Sequence, residues 1–298
     1  MTEFLEMVNI AKAAPFTKED CHFCEEEDKT EAKNELTAKS DEDVPGENET
    51  ENDSGELAKN LKNKPPESQG YIPKIEKGED RPIHDMEFAS AAKREWHQWV
   101  YDAGLIPVLY GAHHLIPGNA AMAKSLLYEN KWLGPVDDGK HKKNIGYNIN
   151  SEKNGIWLPT SYALRGNWTN KSPEYQKAYA YLAMHDTKLT FHDSHVEYSD
   201  QVLKALNNLE KLMKKMKNDG CPICGKGNKE GSPPYHLNAR INAVSKWLRD
   251  HLELPPEKWK KNIITSTFCT DYKAYLKKLK TKKNANLKLD ALRRKKHS

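Results

Sequence analysis

Apolar side chains recur at helical spacing in several stretches of the 298-residue chain, and the clearest of these stretches follows Ser194. There, large apolar residues stand three or four positions apart, which predicts a helix with one buried face. Ser194 and Glu197 precede the pattern at the spacing of a capping box, so His195 is expected on the first helical turn. Periodicity and helix-forming composition predict further helices over residues 3–14, 85–101, 119–133, 172–185 and 237–252.

Two shorter apolar runs have the length of strands. The first, Leu105–Tyr110, leads into the adjacent residues His113 and His114. The second, Ile156–Pro159, follows Asn154-Gly155, a dipeptide that is typical of turns. The predicted order is therefore strand, strand and helix, with helical insertions in the two intervening stretches.

The two adjacent histidines are chemically informative because of the way a strand directs its side chains. Neighbouring residues on a strand face opposite sides, so both imidazoles reach one site only if the strand ends or bends. Gly111 and Pro117 permit such a bend. One histidine would then bind a metal while the other moves a proton, although such a pair also occurs on ordinary surfaces.

An ordered set of short motifs accompanies the pair. Ala112-His113-His114 is followed by Leu-Ile-Pro-Gly-Asn-Ala-Ala, and further along by Asn144–Asn150, Asn154–Pro159 and Phe191–His195. Through these motifs, roughly half of the chain resembles the AHH family, a branch of the HNH/endonuclease VII superfamily of nucleases. Members commonly occur as toxin domains of bacterial polymorphic toxins, including effectors of type VI secretion.

The resemblance implies an α+β fold, with a ββα-metal (HNH/treble-clef-like) nuclease core, helical insertions and a mostly helical chain overall. It implies that His113 and His195 bind the metal and that His114 is the general base. The three imidazoles are therefore expected to converge on one cation. The resemblance also implies that Asn154 orients the base, although Asn154 also suits a simple turn position. Other residues compete for these roles: Asn148 and Asn150 with Asn154, and His192 and Asp193 with His195.

These residue types suit the hydrolysis of a phosphodiester bond. A neutral imidazole has an ordinary pKa of about 6.5 and can take a proton from water near neutral pH. A divalent cation offsets the charge on the phosphate. The resemblance implies Mg²⁺ or a similar ion, whereas ligation by histidines suits Zn²⁺, Mn²⁺ or Ni²⁺.

The predicted function is that of a metal-dependent endonuclease, with DNA favoured as substrate, acting as an antibacterial effector. The resemblance implies synthesis in a bacterial cytoplasm, delivery by type VI secretion and action in the cytoplasm of the target cell. It implies two partners, a cognate immunity protein and a component of the secretion apparatus. The alternative is a non-catalytic nucleic-acid-binding protein in which histidines and cysteines hold structural zinc.

Charge is distributed unevenly along the chain. Residues 1–80 carry 22 acidic and 10 basic side chains, whereas the remainder carries 21 acidic and 37 basic ones. The basic part suits a polyanionic partner such as nucleic acid.

Residues 25–70 are polar with almost no large apolar side chains, which predicts a disordered acidic linker. The expected organisation is a leader at 1–24, the linker at 25–70, and a nuclease domain with a basic tail at 71–298.

The cysteines and the chain start indicate the cellular setting. The N-terminus lacks the features of a secretory signal peptide, and no apolar run reaches the ~18 residues that a membrane-spanning helix needs. Four of the five cysteines form two Cys-x-x-Cys pairs, which indicates bound metal or reduced thiols. Cys221 and Cys224 have zinc-knuckle spacing, and Cys21, Cys24 or His236 would supply further ligands. The alternative is a turn with two unligated thiols.

Overall fold

A computed structural model gives the fold of the chain. It describes residues 3–14, 51–61, 71–72, 106–107, 110–129, 132–133, 147–161, 173–195, 197–216, 220–225 and 234–295. The helix predicted at 85–101, the cysteines Cys21 and Cys24, and most of the linker predicted at 25–70 lie outside the described residues.

The described residues are mostly helical, with four short strands. The helices are α1 (Glu3–Ala13), α2 (Ser54–Asn60), α3 (Leu126–Glu129), α4 (Pro173–Thr187), α5 (Tyr198–Met216), α6 (Leu237–Leu252) and α7 (Thr267–Lys295). The strands are β1 (Tyr71–Ile72), β2 (Ile106–Pro107), β3 (Tyr110–His114) and β4 (Gly155–Pro159). Strands β1 and β2 pair antiparallel, and β3 pairs with β4 in a second two-stranded sheet. Among the described helices, none is long and apolar enough to cross a membrane.

Several predicted elements are confirmed. The amphipathic pattern at 237–252 forms α6, the pattern at 172–185 forms α4, and the run after Asn154 forms β4. The helix predicted over 119–133 is wrong in extent, because this stretch contains only the 3-10 turn Met122–Lys124 and the four-residue α3.

The chain divides into two compact units. One comprises Met1–Lys64, Ala112–Trp157 and Glu197–His251, and the other comprises Pro65–Gly111, Leu158–Val196 and Leu252–Ser298.

In the first unit, α5 supplies the centre of the core. Its apolar face is buried, as the periodicity after Ser194 predicts, and α1 packs against it. On α1, Met7 and Ala11 are fully buried. The guanidinium of Arg240 donates hydrogen bonds to the carbonyl oxygens of Ala11 and Lys12, at the end of α1 where helical carbonyls lack partners within the helix.

The prediction of disorder is wrong for residues 51–61, which belong to the same unit. Asp53 caps α2, since its carboxylate accepts hydrogen bonds from the backbone N–H groups of Gly55 and Glu56. Leu57 is fully buried. A Cβ atom at Gly155 would lie 2.6 Å from Leu57 Cδ1, so glycine at this position leaves the space that Leu57 occupies. One apolar anchor and several polar contacts order a segment that composition alone assigns to a linker.

The second unit has an aromatic core built by α4, α7 and two connecting segments, one between α4 and α5 and one between α6 and α7. Tyr179, Tyr181, Phe191, Trp259 and Tyr272 are all buried in one cluster. Phe191 is held further by its carbonyl oxygen, which accepts a hydrogen bond from Thr265 Oγ1. This packing fixes the chain immediately before His192.

The predicted capping box at the start of α5 is wrong. The helix begins at Tyr198, and the hydroxyl of Ser194 donates to Asp193 Oδ1. The backbone N–H groups of Asp193 and Ser194 both donate to the carbonyl oxygen of Thr265, which keeps this segment out of the helix. His195 therefore precedes α5 and does not lie on its first turn.

Candidate active site

The end of β3 and the turn before β4 form one hydrogen-bonded frame around Asn154. The backbone N–H of Leu115 donates to the carbonyl oxygen of Asn154 at 2.8 Å. The Asn154 side chain accepts from the N–H of Ile116 at 2.8 Å and donates to the carbonyl oxygens of Ile116 and Ile149. Ser245 Oγ donates to the same amide oxygen at 2.9 Å. Asn154 is thus a buried brace that sets the path of the chain after the two histidines.

Replacing Asn154 with alanine is expected to lower the free energy of unfolding by about 2–4 kcal/mol, because each buried group left without a partner costs about 1–3 kcal/mol. Chemical denaturation measures this change. Asn208→Ala is the matched control, since the Asn208 amide makes an exposed bond to the Lys204 carbonyl oxygen. Equal stability of the two variants would contradict the bracing role.

The side chain that contacts His114 is that of Asn150. His114 Nε2 lies 2.7 Å from Asn150 Oδ1. Two backbone groups identify this atom as the oxygen: the N–H of Asp53 donates to it at 2.9 Å, and Asn150 Nδ2 donates to the carbonyl oxygen of Glu51 at 3.1 Å. Since an amide oxygen only accepts, Nε2 of His114 carries the proton, and Nδ1 carries the lone pair.

The surroundings of His114 favour its neutral form. The side chain is 8% exposed. Burial lowers the pKa of His114, against the opposing effects of the hydrogen bond to Asn150 and the charge of Asp53. A buried, neutral imidazole with its Nδ1 lone pair available has the properties of a general base.

The third asparagine of the predicted set, Asn148, supports Asn150. Its amide oxygen accepts a hydrogen bond from the backbone N–H of Asn150 at 2.6 Å. The structure therefore assigns different contacts to the three competing asparagines. Asn150 bonds to the His114 ring, Asn148 holds the backbone of Asn150, and Asn154 braces the loop after β3.

A second arrangement brings together His113, His192 and His195. Each offers a ring nitrogen, and these three atoms lie within 4.8 Å of one another. Within the ranges that the structure describes, this is the one group of three or more potential ligand side chains with such spacing. His114 is not part of it, so the expected trio is corrected: His192 takes the place of His114.

The backbone fixes two of these histidines. His192 N–H donates to the carbonyl oxygen of Pro159 at 2.8 Å, and Thr160 Oγ1 donates to the carbonyl oxygen of His192 at 2.7 Å, next to the end of β4. His113 is 1% exposed, and its ring meets the ring of Tyr198 edge-on, with centroids 5.5 Å apart. The Tyr198 hydroxyl in turn donates to the carbonyl oxygen of Leu115 at 2.6 Å.

The donor set suits a divalent transition metal. His192 Nε2 and His195 Nε2 lie 2.9 Å apart with their rings stacked, so one N–H donates to the other ring in this structure. Ligand nitrogens of a tetrahedral zinc site, at Zn–N distances of about 2.0–2.1 Å, are separated by roughly 3.3 Å. The separation of this pair is close to this value, and the ligand atoms of the whole group lie within 4.8 Å of one another. Three imidazoles are ordinary ligands of Zn²⁺, Ni²⁺ and related ions.

Asp193, the carboxylate that competes with His195 in the sequence, has other contacts. Ser194 Oγ donates to its carboxylate at 3.0 Å. Burial raises the pKa of Asp193, against the lowering effects of hydrogen bonds from Ser266 and Ser194. It is absent from the group of His113, His192 and His195.

The site residues lie in one continuous stretch of chain, from His113 to His195. Residues 107–220 match the AHH family. This is a nuclease family of the HNH/ENDO VII superfamily with conserved AHH. The AHH segment includes β3, β4, α4 and α5, and with them both histidine arrangements. No curated protein and no solved structure matches the chain significantly.

The cysteine pair lies just beyond the AHH segment. Cys221 is buried and Cys224 partly exposed, and Gly225 has the positive φ of a tight turn. The Ile223 N–H donates to Cys221 Sγ at 3.4 Å. His236, one of the further ligands expected from sequence, has Nδ1 3.0 Å from an Arg240 guanidinium nitrogen. Among the described residues, no cluster of three ligands includes these cysteines, and structural zinc stays a prediction.

Proposed function

We propose that the chain is a metal-dependent endonuclease that hydrolyses phosphodiester bonds, with DNA as the favoured substrate. One observation carries the proposal: a buried His114, held by Asn150 with its Nδ1 lone pair available, adjoins His113 of the three-imidazole group. Both lie in a segment that matches a nuclease family. An ordinary surface histidine pair would have neither the ordered amide partner nor the neighbouring group.

The proposed reaction needs a base because water is a weak nucleophile toward a negatively charged phosphodiester. His114 Nδ1 takes a proton from a water molecule, and the water oxygen attacks phosphorus. A bond forms between that oxygen and phosphorus, while the bond from phosphorus to the leaving nucleoside oxygen breaks. General-base assistance of this kind is typically worth about 10²–10⁴ in rate.

Asn150 keeps the base in a productive state. By accepting a hydrogen bond from Nε2–H, its amide oxygen holds His114 in one tautomer and stabilises the imidazolium that forms when Nδ1 gains a proton. His113, His192 and His195 would hold the divalent cation. When bound, the cation supplies positive charge that offsets the charge on the phosphate and on the leaving oxygen.

Charge supports a nucleic-acid substrate. Helix α7 is rich in lysine, and Lys277, Lys278 and Lys280 on it are exposed. Lysines that neutralise phosphates release counterions, so binding that involves them weakens as salt rises. The proposed enzyme should therefore lose affinity for DNA with increasing salt.

Incubation of supercoiled plasmid and of single-stranded RNA with the purified chain and a divalent cation tests the proposal. The wild type is expected to nick the plasmid, and Asn150→Ala to reduce the rate by about 10–100-fold, the usual effect of removing a partner that orients a catalytic group. Asn208→Ala is the control. Binding of DNA without any cleavage would favour the alternative, a non-catalytic nucleic-acid-binding protein.

The effector role, type VI delivery, the immunity protein and action inside a target cell stay predictions of the resemblance. Expression of the chain in a bacterial host tests the toxin role: growth should stop with the wild type and continue with His114→Ala. Equal growth with both would contradict toxicity through the proposed site.

A further inference from the structure

Besides its bond to His114, the Asn150 side chain makes two hydrogen bonds with a part of the chain that lies almost a hundred residues earlier. The Asp53 N–H donates to its amide oxygen at 2.9 Å, and its amide nitrogen donates to the carbonyl oxygen of Glu51 at 3.1 Å. A third contact comes from the same segment, since Asn60 Nδ2 donates to the carbonyl oxygen of Asn150 at 2.9 Å. Both ends of the segment 51–61 thus contact one residue.

The segment also contacts the chain that follows β3. Asn52 Oδ1 accepts a hydrogen bond from the backbone N–H of Gly118 at 2.7 Å. Between these polar contacts, Leu57 of α2 is fully buried and occupies the space left by Gly155 at the start of β4. The segment 51–61 thus contacts Asn150, Gly118 and Gly155, which belong to the same compact unit as His114.

The two backbone contacts from Glu51 and Asp53 select the orientation of the Asn150 amide. The Asp53 N–H needs an acceptor, and the Glu51 carbonyl oxygen needs a donor. Both hydrogen bonds form only when the Asn150 amide oxygen points toward the Asp53 N–H and His114. A flipped amide would present its NH₂ group to Nε2. His114 would then have to accept a hydrogen bond at Nε2 and carry its own proton on Nδ1, so Nδ1 would lose the lone pair that is proposed to act as base.

We propose that the segment Glu51–Leu61 positions the catalytic base, by fixing the Asn150 amide and through it the tautomer of His114. This inference rests on the proposed function of His114. The segment lies outside residues 107–220, so the match to the nuclease family does not include it. Its residues act through Asn150 and are positioning residues.

Two full-length variants weaken the docking of the segment in different ways. Asn60→Ala removes the donor to the Asn150 carbonyl oxygen, and Leu57→Ala removes the buried anchor. The controls match in residue type: Asn208→Ala makes the same change at an exposed amide, and Leu5→Ala at a side chain that is 41% exposed. Urea unfolding of all four establishes that each is folded under the assay conditions, and Asn60→Ala keeps the test available if Leu57→Ala unfolds.

The first readout is the ¹⁵N spectrum of histidine-labelled protein at one pH, with the His114 signals assigned by their loss in His114→Ala. The wild type should show the pattern of an imidazole protonated at Nε2. Asn60→Ala and Leu57→Ala should show a larger share of the Nδ1–H tautomer than the wild type, and the two controls should show no such increase.

The second readout is cleavage kinetics. In Asn60→Ala and Leu57→Ala, kcat should fall by about 10-fold or more while KM stays within about twofold of the wild-type value, as for loss of other orienting partners.

Unchanged ¹⁵N signals of His114 in both docking variants would overturn the proposal, and so would a fall in kcat without a change in those signals. If the wild type cleaves neither DNA nor RNA, the proposed function fails, whereas the ¹⁵N spectra still decide whether the segment controls the His114 tautomer.

Discussion

Replacing His114 with alanine is expected to lower kcat for nucleic-acid cleavage by about 10²–10⁴-fold, the usual contribution of a general base. The variant should still bind nucleic acid and a divalent cation, because His114 is not part of the group of His113, His192 and His195. Single-turnover cleavage of a labelled duplex, with enzyme in excess, measures the chemical step. The rate should fall while the affinity of the enzyme for the duplex stays within about threefold of that of the wild type.

His185→Ala is the matched control for this substitution. His185 lies on the last turn of α4, outside both histidine arrangements, and is partly exposed. Its variant should cleave at the wild-type rate. If His114→Ala cleaves as fast as His185→Ala, His114 is not the base, and the ordered contact with Asn150 has only a structural role.

Replacing His195 with alanine is expected to remove tight binding of a divalent cation. The loss of affinity should exceed the roughly 10–100-fold that follows loss of a supporting partner at a metal site, because His195 would be a direct ligand. His195 is the most suitable of the three for this test, since it is partly exposed whereas His113 and His192 are buried. Calorimetric titration with Zn²⁺ and Mn²⁺ measures affinity and the number of ions bound.

Because Cys221 is a candidate ligand of a second ion, the number of ions bound per chain distinguishes the two possible metal sites. A wild-type chain that binds one ion at the histidines and a second at Cys221 should lose only one of the two in His195→Ala. Cys221→Ser should show the opposite pattern, with loss of the second ion and unchanged cleavage. Equal binding by wild type and His195→Ala, at every ion tested, would exclude the three histidines as the metal site.

Much of the fold follows from local patterns in the sequence. The apolar spacing of α6 is clear because one face of this helix is buried, and burial imposes a period on the sequence. Helix α4 follows from its helix-forming composition, and β4 follows from a short apolar run, buried on both faces, next to the turn at Asn154-Gly155. The start of α5 does not follow from the sequence. Serine is a common residue at the N-cap of a helix, but the backbone N–H groups of Asp193 and Ser194 donate to the carbonyl oxygen of Thr265. This is a tertiary contact, which cannot be predicted from the local sequence.

The sequence predicted most of the residues of the site, but it predicted less well which of them come together. His113 and His195 do come together as expected, but His192 joins them because Phe191 and Thr160 fix its backbone, which depends on packing in the second unit. Asn150 and Asn154 both follow polar, turn-like stretches. Spacing alone does not distinguish the amide that faces a ring from the amide that braces a loop.

The order of residues 51–61 was not predictable from composition. Composition rules ask whether a segment buries enough apolar surface to offset its loss of conformational entropy. Here one buried leucine is sufficient because Asp53, Asn52 and Asn60 add hydrogen bonds to Asn150 and Gly118. The partners of those bonds lie 66 to 97 residues away in the sequence, so a prediction from local sequence does not include them.

The decisive measurement for a metal-dependent nuclease is cleavage of supercoiled plasmid by the wild-type chain with a divalent cation, after chelation by EDTA, and again after return of excess cation. We expect nicking with the cation, none in EDTA, and recovery when Mg²⁺, Mn²⁺, Zn²⁺ or Ni²⁺ is returned. Undiminished cleavage in EDTA would contradict metal dependence, and the absence of cleavage of plasmid and of RNA with all four ions would contradict nuclease activity.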